Sequence, residues 1–180
     1  MNNIYIPSYN RSHSVKTYEY LGCGKIIVPK SQESAYKKRY GNAVQSIPDK
    51  RDGSVAKKRN CILDLITEEQ EDGYGWIIDD DLVKIKRKKE NLDLDSEQAL
   101  ELLEKLQIMS TDNLRYDERF KINEDVEFWV QKLNLHRKLL KDNQYAMVFY
   151  GDDGGKDSVI GYDRNDARVY ATMLNNKWGK

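Results

Sequence analysis

Three successive carboxylates, Asp79-Asp80-Asp81, directly follow the apolar segment Trp76-Ile77-Ile78. Carboxylates this close together repel one another, and burying them without partners is costly. A divalent cation removes that repulsion, and Mg²⁺ or Mn²⁺ prefers oxygen ligands and also bridges the oxygens of a diphosphate. The three aspartates therefore predict a metal site. The alternative is an acidic turn that is exposed to water.

A second polar pair, Arg59-Asn60, lies within residues 54–70, where apolar residues recur at helical spacing. Arginine meets phosphate with a fixed fork of donors, and asparagine can hydrogen-bond a sugar or a base. One interpretation is a donor-binding pair. The alternative is a surface cluster that Arg59 forms with Lys57 and Lys58.

Acidic residues also begin a helix in the second half of the chain, at Asn123-Glu124-Asp125. Capping and the helix dipole favour acids at this position, so the residues themselves favour a structural role. The functional alternative is a general base, or a carboxylate that stabilises positive charge on a sugar carbon. The two histidines, His13 and His136, are too far apart in sequence for metal-ligand spacing, and no phosphate-binding P-loop or zinc pattern is present.

The order of apolar and amphipathic segments predicts an open α/β sheet. Strands are expected at 3–7, 25–29, 43–48, 76–78 and 145–150, and helices at 34–40, 54–70, 95–109, from 123 onward, and 165–177, with a loop at 151–161. Ligands bind such sheets at the carboxyl ends of the strands. Three of these ends carry polar clusters, which are Ser8–Arg11, Lys50–Asp52 and Asp79–Asp81.

Composition limits the class of protein. The 180 residues are 39% hydrophobic and 33% charged, with a net charge of zero, as in a globular protein. No apolar run approaches the roughly 20 residues that span a bilayer, and the polar start is no signal peptide. With two cysteines that form no disulfide framework, we expect a cytoplasmic protein. The basic run Lys84–Lys89 could meet phosphates, or could be a solvated strand or turn.

Taken in order, these segments resemble the small GT-A glycosyltransferases of phage DNA hypermodification, namely the TET-associated glycosyltransferases and the related base J glucosyltransferase. The segments that carry the resemblance are Ile4–Arg11, Ile27-Val28-Pro29 with Glu33, Tyr36 and Tyr40-Gly41, Ala56–Ile62, Trp76–Asp81, Leu114–Glu118, Asn123–Phe128, and Gly154-Gly155 with Tyr162-Asp163-Arg164. The resemblance implies one GT-A domain over residues 1–180, with a central mixed sheet flanked by helices. The nucleotide-binding half would span about 1–90 and the acceptor half about 91–180.

The resemblance also implies site residues. A nucleotide sugar, expected to be linked to uridine diphosphate, would be bound by Pro7, Ser8, Tyr9, Arg11, Arg59, Asn60, Asp79 and Asp80. Asp79 and Asp81 would hold Mn²⁺ or Mg²⁺, and Glu124 or Asp125 would act at the sugar. The expected acceptor is a hydroxymethylated pyrimidine in DNA, reached along the basic stretches Lys37–Arg39 and Lys84–Lys89, and no membrane partner is expected.

The chain departs from the family pattern in two places. Residues 107–113 are shorter than the stretch that helps to shape the family's acceptor side, and a late metal-binding histidine is not evident, so that Asp152 or Asp153 would have to replace it. The alternative function is therefore a nucleotide- or nucleic-acid-binding module that has the GT-A fold without catalysis. A nucleotidyltransferase is disfavoured because Ser8–Arg11 is not glycine-rich.

Overall fold

The computed structural model describes residues 3–70, 74–106, 114–120, 124–136, 144–150 and 164–178. The predicted loop at 151–161, with Asp152 and Asp153, and the short segment 107–113 lie outside the described residues. No helix in the described ranges is long and apolar enough to span a lipid bilayer.

The first half of the chain forms a parallel sheet with four strands, in the order β3-β2-β1-β4. These are β1 (Ile4–Pro7), β2 (Lys25–Pro29), β3 (Val44–Ile47) and β4 (Trp76–Ile77). In the register of the two pairs formed by β1, Tyr5 lies opposite Lys25 and Ile4 lies opposite Trp76. The predicted strands are confirmed, and because all four are parallel, their carboxyl ends share one edge of the sheet.

The helices between these strands are α1 (Lys16–Leu21), α2 (Glu33–Tyr40) and α3 (Val55–Glu69). The sequence did not indicate the six-residue α1, which ends at Gly22, where a φ of 70° suits glycine. Alternate residues of the strands face opposite layers. Ile4, Ile6 and Ile26 join the core on the side of α1 and α2, whereas Tyr5 and Ile27 pack against Cys61, Ile62 and Ile66 of α3. Helices thus cover both faces of the sheet, which confirms the α/β class.

A second, antiparallel sheet has the order β6-β5-β7, formed by β5 (Leu82–Arg87), β6 (Leu92–Asp93) and β7 (Tyr145–Phe149). The parallel and antiparallel strands therefore lie in two hydrogen-bonded sheets. Strand β5 begins immediately after Asp81, and it buries Leu82 and Ile85 while its lysines face outward. The basic run is therefore mainly a strand, and the three aspartates connect one sheet to the other.

Three more helices are described: α4 (Ser96–Leu106), α5 (Glu124–His136) and α6 (Arg164–Trp178). Asp95 caps α4, since its Oδ1 accepts the backbone N–H of Gln98 at 2.9 Å while the Gln98 side chain accepts that of Asp95 at 3.2 Å. Ala99 and Leu103 on the inner face of α4 are buried in the core of the first half. The predicted helices in this half are confirmed.

Candidate active site

The backbone of the three aspartates is fixed by Thr17 in the first turn of α1. The Thr17 hydroxyl donates to the carbonyl oxygen of Asp79 and accepts the backbone N–H of Leu82 at 3.0 Å. The backbone N–H of Thr17 donates to the carbonyl oxygen of Asp80 at 3.3 Å. Thr17 is buried, and because no pattern in the sequence distinguishes it, the sequence analysis missed it. The carboxylates therefore project from a rigid turn.

Asp80 is the inward-facing member of the three. Its Oδ2 accepts the Ser8 hydroxyl at 2.5 Å, and its Oδ1 pairs with Arg11 Nη1 at 2.8 Å. Burial raises the pKa of the Asp80 carboxyl, while the Ser8 hydrogen bond and the Arg11 charge oppose that shift. Asp80 thus joins the end of β4 to the end of β1, and it supports the predicted nucleotide-binding turn from beneath.

Asp79 and Asp81 are more accessible, with side-chain exposures of 48% and 27%. Arg59 Nη2 lies 3.0 Å from both carboxylate oxygens of Asp79, and Arg11 Nη1 lies 3.5 Å from Asp81 Oδ2. Burial raises the pKa of the Asp81 carboxyl, and the charge of Asp79 raises it further, while Arg11 opposes the shift. The negative charges of the two carboxylates therefore repel each other.

Asp79 and Asp81 are the carboxylates of this turn that could hold a magnesium or manganese ion together with a ligand, and metal binding by them stays a prediction. Within the described ranges, no group of three or more His, Cys, Asp or Glu side chains is arranged to hold a metal. Mg²⁺ is commonly bound by one or two carboxylates together with substrate phosphates, so a full set of protein ligands is not required. Asp79 and Asp81 supply hard oxygen ligands of this kind, and they do so at the edge of the sheet where ligands bind.

The turn after β1 is held from the side by Tyr36 of α2. The Tyr36 hydroxyl is 2.8 Å from Ser8 Oγ and accepts the backbone N–H of Arg11, also at 2.8 Å. Asn10 adopts a φ of 55°, and its side chain and backbone N–H both bond the amide of Gln32. Tyr36 entered the sequence analysis only through the resemblance, and the structure shows how its buried hydroxyl fixes the turn that begins after Pro7.

Lys58 connects the same turn to Asp52. Its Nζ donates to the Ser8 carbonyl oxygen at 2.7 Å and pairs with Asp52 Oδ1 at 3.0 Å, beneath the exposed Tyr9, whose ring centroid is 5.4 Å away. Lys58 is only 5% exposed, so the interpretation of Lys57, Lys58 and Arg59 as one surface cluster is wrong for this residue. Burial lowers the pKa of Lys58, and Asp52 opposes that shift. The structure therefore brings all three predicted strand-end clusters together.

Asn60 lies next to Arg59 on α3 and bonds the segment 114–120. Its Oδ1 accepts the backbone N–H of Tyr116 at 2.7 Å, and its Nδ2 donates to the Tyr116 carbonyl oxygen at 2.9 Å. The Arg59 guanidinium lies 5.5 Å from the centroid of the Tyr116 ring. Asn60 thus joins the two halves of the chain, and its contact with a sugar or base stays a prediction.

The segment 114–120 in turn positions α5. The Tyr116 ring stacks on Phe128, with centroids 4.1 Å apart and an interplanar angle of 10°. Glu127 is fully buried and accepts from Lys177 of α6 at 2.7 Å. At the start of the helix, the exposed Asp125 accepts the backbone N–H of Val126 at 2.8 Å. The side chain of Glu124 lies outside the described residues, and the catalytic role of either acid stays a prediction.

Acidic neighbours pair with much of the charge in the two basic stretches. Lys37 lies 2.7 Å from Glu33, Arg39 lies 2.9 Å from Glu19, and Lys84 lies 2.7 Å from Asp93. These pairs are at the surface, where such interactions are weak and easily exchanged. Contact of the stretches with DNA phosphates stays a prediction.

One protein-family model matches the chain, over a range that includes the first half and the start of the second. A family model described as TET-Associated Glycosyltransferase matches residues 2–112. The match covers β1 to α4 and includes every residue predicted to bind nucleotide, together with Asp79 and Asp81, but it ends before α5 and before Asp152 and Asp153. No curated protein and no solved structure matched the chain.

Proposed function

The chain belongs to the family of TET-associated glycosyltransferases, and from this premise we propose that it transfers a sugar from a uridine diphosphate sugar to an acceptor hydroxyl with the help of Mn²⁺ or Mg²⁺. The observation that carries the proposal is the junction of two strand-end turns. Arg11 and Ser8 after β1 meet Asp80 and Asp81 after β4 at the carboxyl edge of a parallel sheet.

In this proposal, the donor lies across the junction. Tyr9 presents an exposed ring on which a base can stack, and Arg11 and Arg59 provide cationic donors for the diphosphate. Asp79 and Asp81 would hold the divalent cation, which when bound neutralises the diphosphate and assists its departure as a leaving group. Asp80 keeps its carboxylate on Ser8 and Arg11, so it preserves the shape of the site and leaves ligation to its neighbours.

The proposed chemical role at the sugar belongs to Glu124 or Asp125. One of these carboxylates takes the proton of the attacking hydroxyl, or it stabilises positive charge on the sugar carbon. Stacking of Tyr116 on Phe128 and the bonds from Asn60 to Tyr116 connect α5 to α3. This connection supports the proposal because it links the acids of α5 to the helix that carries Arg59.

For the acceptor, we propose a hydroxymethylated pyrimidine in DNA, modified in the cytoplasm of a phage-infected cell. A base within a duplex cannot reach a cleft at a sheet edge, so the target is flipped out or single-stranded. Exposed members of the basic stretches, such as Lys38 and Lys89, would contact the DNA phosphates. Binding through phosphates weakens steeply as salt rises.

The test supplies the protein with labelled uridine diphosphate sugars, Mn²⁺, and either hydroxymethyl-containing or ordinary DNA, followed by mass spectrometry of the nucleosides. We expect label on the hydroxymethyl-containing DNA and not on the ordinary DNA. We expect no label after chelation of Mn²⁺ or with the Asp81→Asn variant. Asp95→Asn is the matched control, because Asp95 caps α4 and asparagine caps a helix about as well as aspartate. Transfer to a protein or glycan would contradict the DNA acceptor, and metal-independent transfer would contradict the role of Asp79 and Asp81.

A further inference from the structure

The guanidinium of Arg59 occupies the space between the two carboxylate oxygens of Asp79. A single nitrogen, Nη2, lies 3.0 Å from Oδ1 and 3.0 Å from Oδ2. A cation chelated by both oxygens would need this same position, since Mg²⁺ binds oxygen at about 2.1 Å. Arg59 and a chelated cation therefore exclude each other at Asp79.

Of the two side chains, Arg59 is the longer and can move its charged group farther while its backbone stays in place. The backbone of Asp79 is held by the Thr17 hydroxyl, and the turn continues directly into β5. Arg59 projects from α3 on a long flexible stem, and its guanidinium also lies 5.5 Å from the centroid of the Tyr116 ring. Movement of the arginine head, and not of the turn, is therefore the way to expose both oxygens of Asp79.

We propose that Arg59 exchanges Asp79 for a phosphate of a nucleoside diphosphate, so that the nucleotide and the divalent cation bind with positive cooperativity. This inference rests on the proposed function. In the free protein, Arg59 neutralises Asp79 and competes with the metal. A bound diphosphate offers the arginine a second anionic partner with better bidentate geometry, which frees Asp79 for the cation. Because coupling between two sites is reciprocal, the metal increases nucleotide affinity by the same factor.

Removal of Arg59 should change metal affinity differently in the absence and in the presence of nucleotide. Without nucleotide, removal of Arg59 strengthens metal binding, because a competitor of the cation is lost. At saturating nucleotide, Arg59 has already left Asp79, and its removal leaves metal affinity unchanged. If Arg59 served only as a phosphate ligand, its removal would not change metal affinity in the absence of nucleotide.

The experiment measures Mn²⁺ affinity by electron paramagnetic resonance, with and without saturating uridine diphosphate, in the wild type and in three variants. Arg59→Gln removes the charge, and Arg59→Met removes it while keeping an unbranched side chain against Tyr116. Arg119→Gln is the control, because Arg119 lies in the segment 114–120 and pairs with Asp117 at 2.6 Å. Thermal unfolding of each variant verifies that it is folded.

We expect both Arg59 variants to bind Mn²⁺ about three- to fivefold more tightly than the wild type when no nucleotide is present, as for an ion pair with one exposed partner. The control should match the wild type, and all four proteins should agree at saturating nucleotide. Equal affinity in all proteins without nucleotide would overturn the exchange while leaving the proposed function intact. An absence of Mn²⁺ binding throughout, with or without nucleotide, would overturn the metal-dependent function and this inference with it.

Discussion

Ser8 and Asp80, which are 72 positions apart, are joined by a hydrogen bond of 2.5 Å from hydroxyl to carboxylate. The bond links the ends of two adjacent parallel strands, and both of its members are buried. It is therefore the contact by which the turn after β1 and the turn after β4 become one site. Its removal tests how far the site depends on this connection.

Ser8→Ala removes one donor from a buried carboxylate and should lower the free energy of unfolding by about 1–3 kcal/mol. Because the Ser8 hydroxyl also lowers the pKa of Asp80, the variant should raise that pKa further. Urea denaturation measures the first effect, with Ser34→Ala on the exposed face of α2 as the control. A variant as stable as the control would show that Asp80 does not depend on Ser8.

The ion pair of Lys58 with Asp52 predicts a strongly non-additive response. Lys58→Met should cost about 3–5 kcal/mol of stability, because it leaves a buried carboxylate without a counter-charge, whereas adding Asp52→Leu should restore much of the loss. Within the described part of the chain, Asp52 Oδ2 already has no hydrogen-bond partner, so single removal of Lys58 leaves the carboxylate without a partner there. Chemical denaturation of the two single variants and the double variant measures the coupling, and Lys57→Met serves as the neighbouring control. Additive losses would contradict the prediction.

The position of Lys58 can be read from helical spacing, but its ion-pair partner cannot be read from the sequence. Lys58 precedes Cys61 and Ile62 by three and four positions, so helical spacing places it on their buried face. The adjacent charges of Lys57 and Arg59 left a surface cluster open as an alternative. A buried lysine needs a partner, and Asp52 is brought to it only by the fold. Periodicity therefore predicts the face, but not the ion pair that makes burial tolerable.

The strand ends were more predictable than the bonds between them. The apolar run before Asp79 and the proline after Ile6 predicted where β4 and β1 end, and parallel topology then placed both ends at one edge. Thr17 and Tyr36 could not be found in this way, because the hydroxyl of each bonds a residue more than twenty positions away in the chain. The role of Asn60 was likewise set by the docking of Tyr116, which no local pattern specifies.

Acid should remove the contribution of Glu33 to stability. Hydrogen bonds from Lys30 and Lys37 lower the pKa of this carboxyl from 4.5 to about 2. Since its pKa is depressed in the folded state, the stabilisation is present above pH 4.5 and is lost as pH falls toward about 2. The difference in unfolding free energy between the wild type and Glu33→Gln should shrink across that interval, and high salt should reduce it at neutral pH. A constant difference across the interval would contradict the prediction.

Asn60→Ala should loosen the second half of the chain. The variant loses both hydrogen bonds to the backbone of Tyr116, so amides of 114–120 and 124–136 should exchange faster with deuterium. Amides of β1 to β3 should be unaffected, because the core on either face of that sheet is unchanged. Asn42→Ala, an exposed position, is the control for the measurement. Faster exchange in β1 to β3 as well would indicate general destabilisation and contradict a local role.

Asp125→Asn separates a catalytic role from a structural one. Asparagine keeps the side-chain oxygen that accepts the backbone N–H of Val126, so the free energy of unfolding should change by no more than about 1 kcal/mol, the contribution of a charge in the first turn of a helix. It cannot accept the acceptor's proton, however, and a general base contributes about 10²- to 10⁴-fold to rate. We therefore expect kcat for sugar transfer to fall by that factor while donor affinity, measured by calorimetry, stays the same. Glu124→Gln, tested in parallel, identifies which of the two acids acts, since only one of the variants should lose the rate. Undiminished transfer in both would show that the acids at the start of α5 stabilise the helix and take no part in the chemistry.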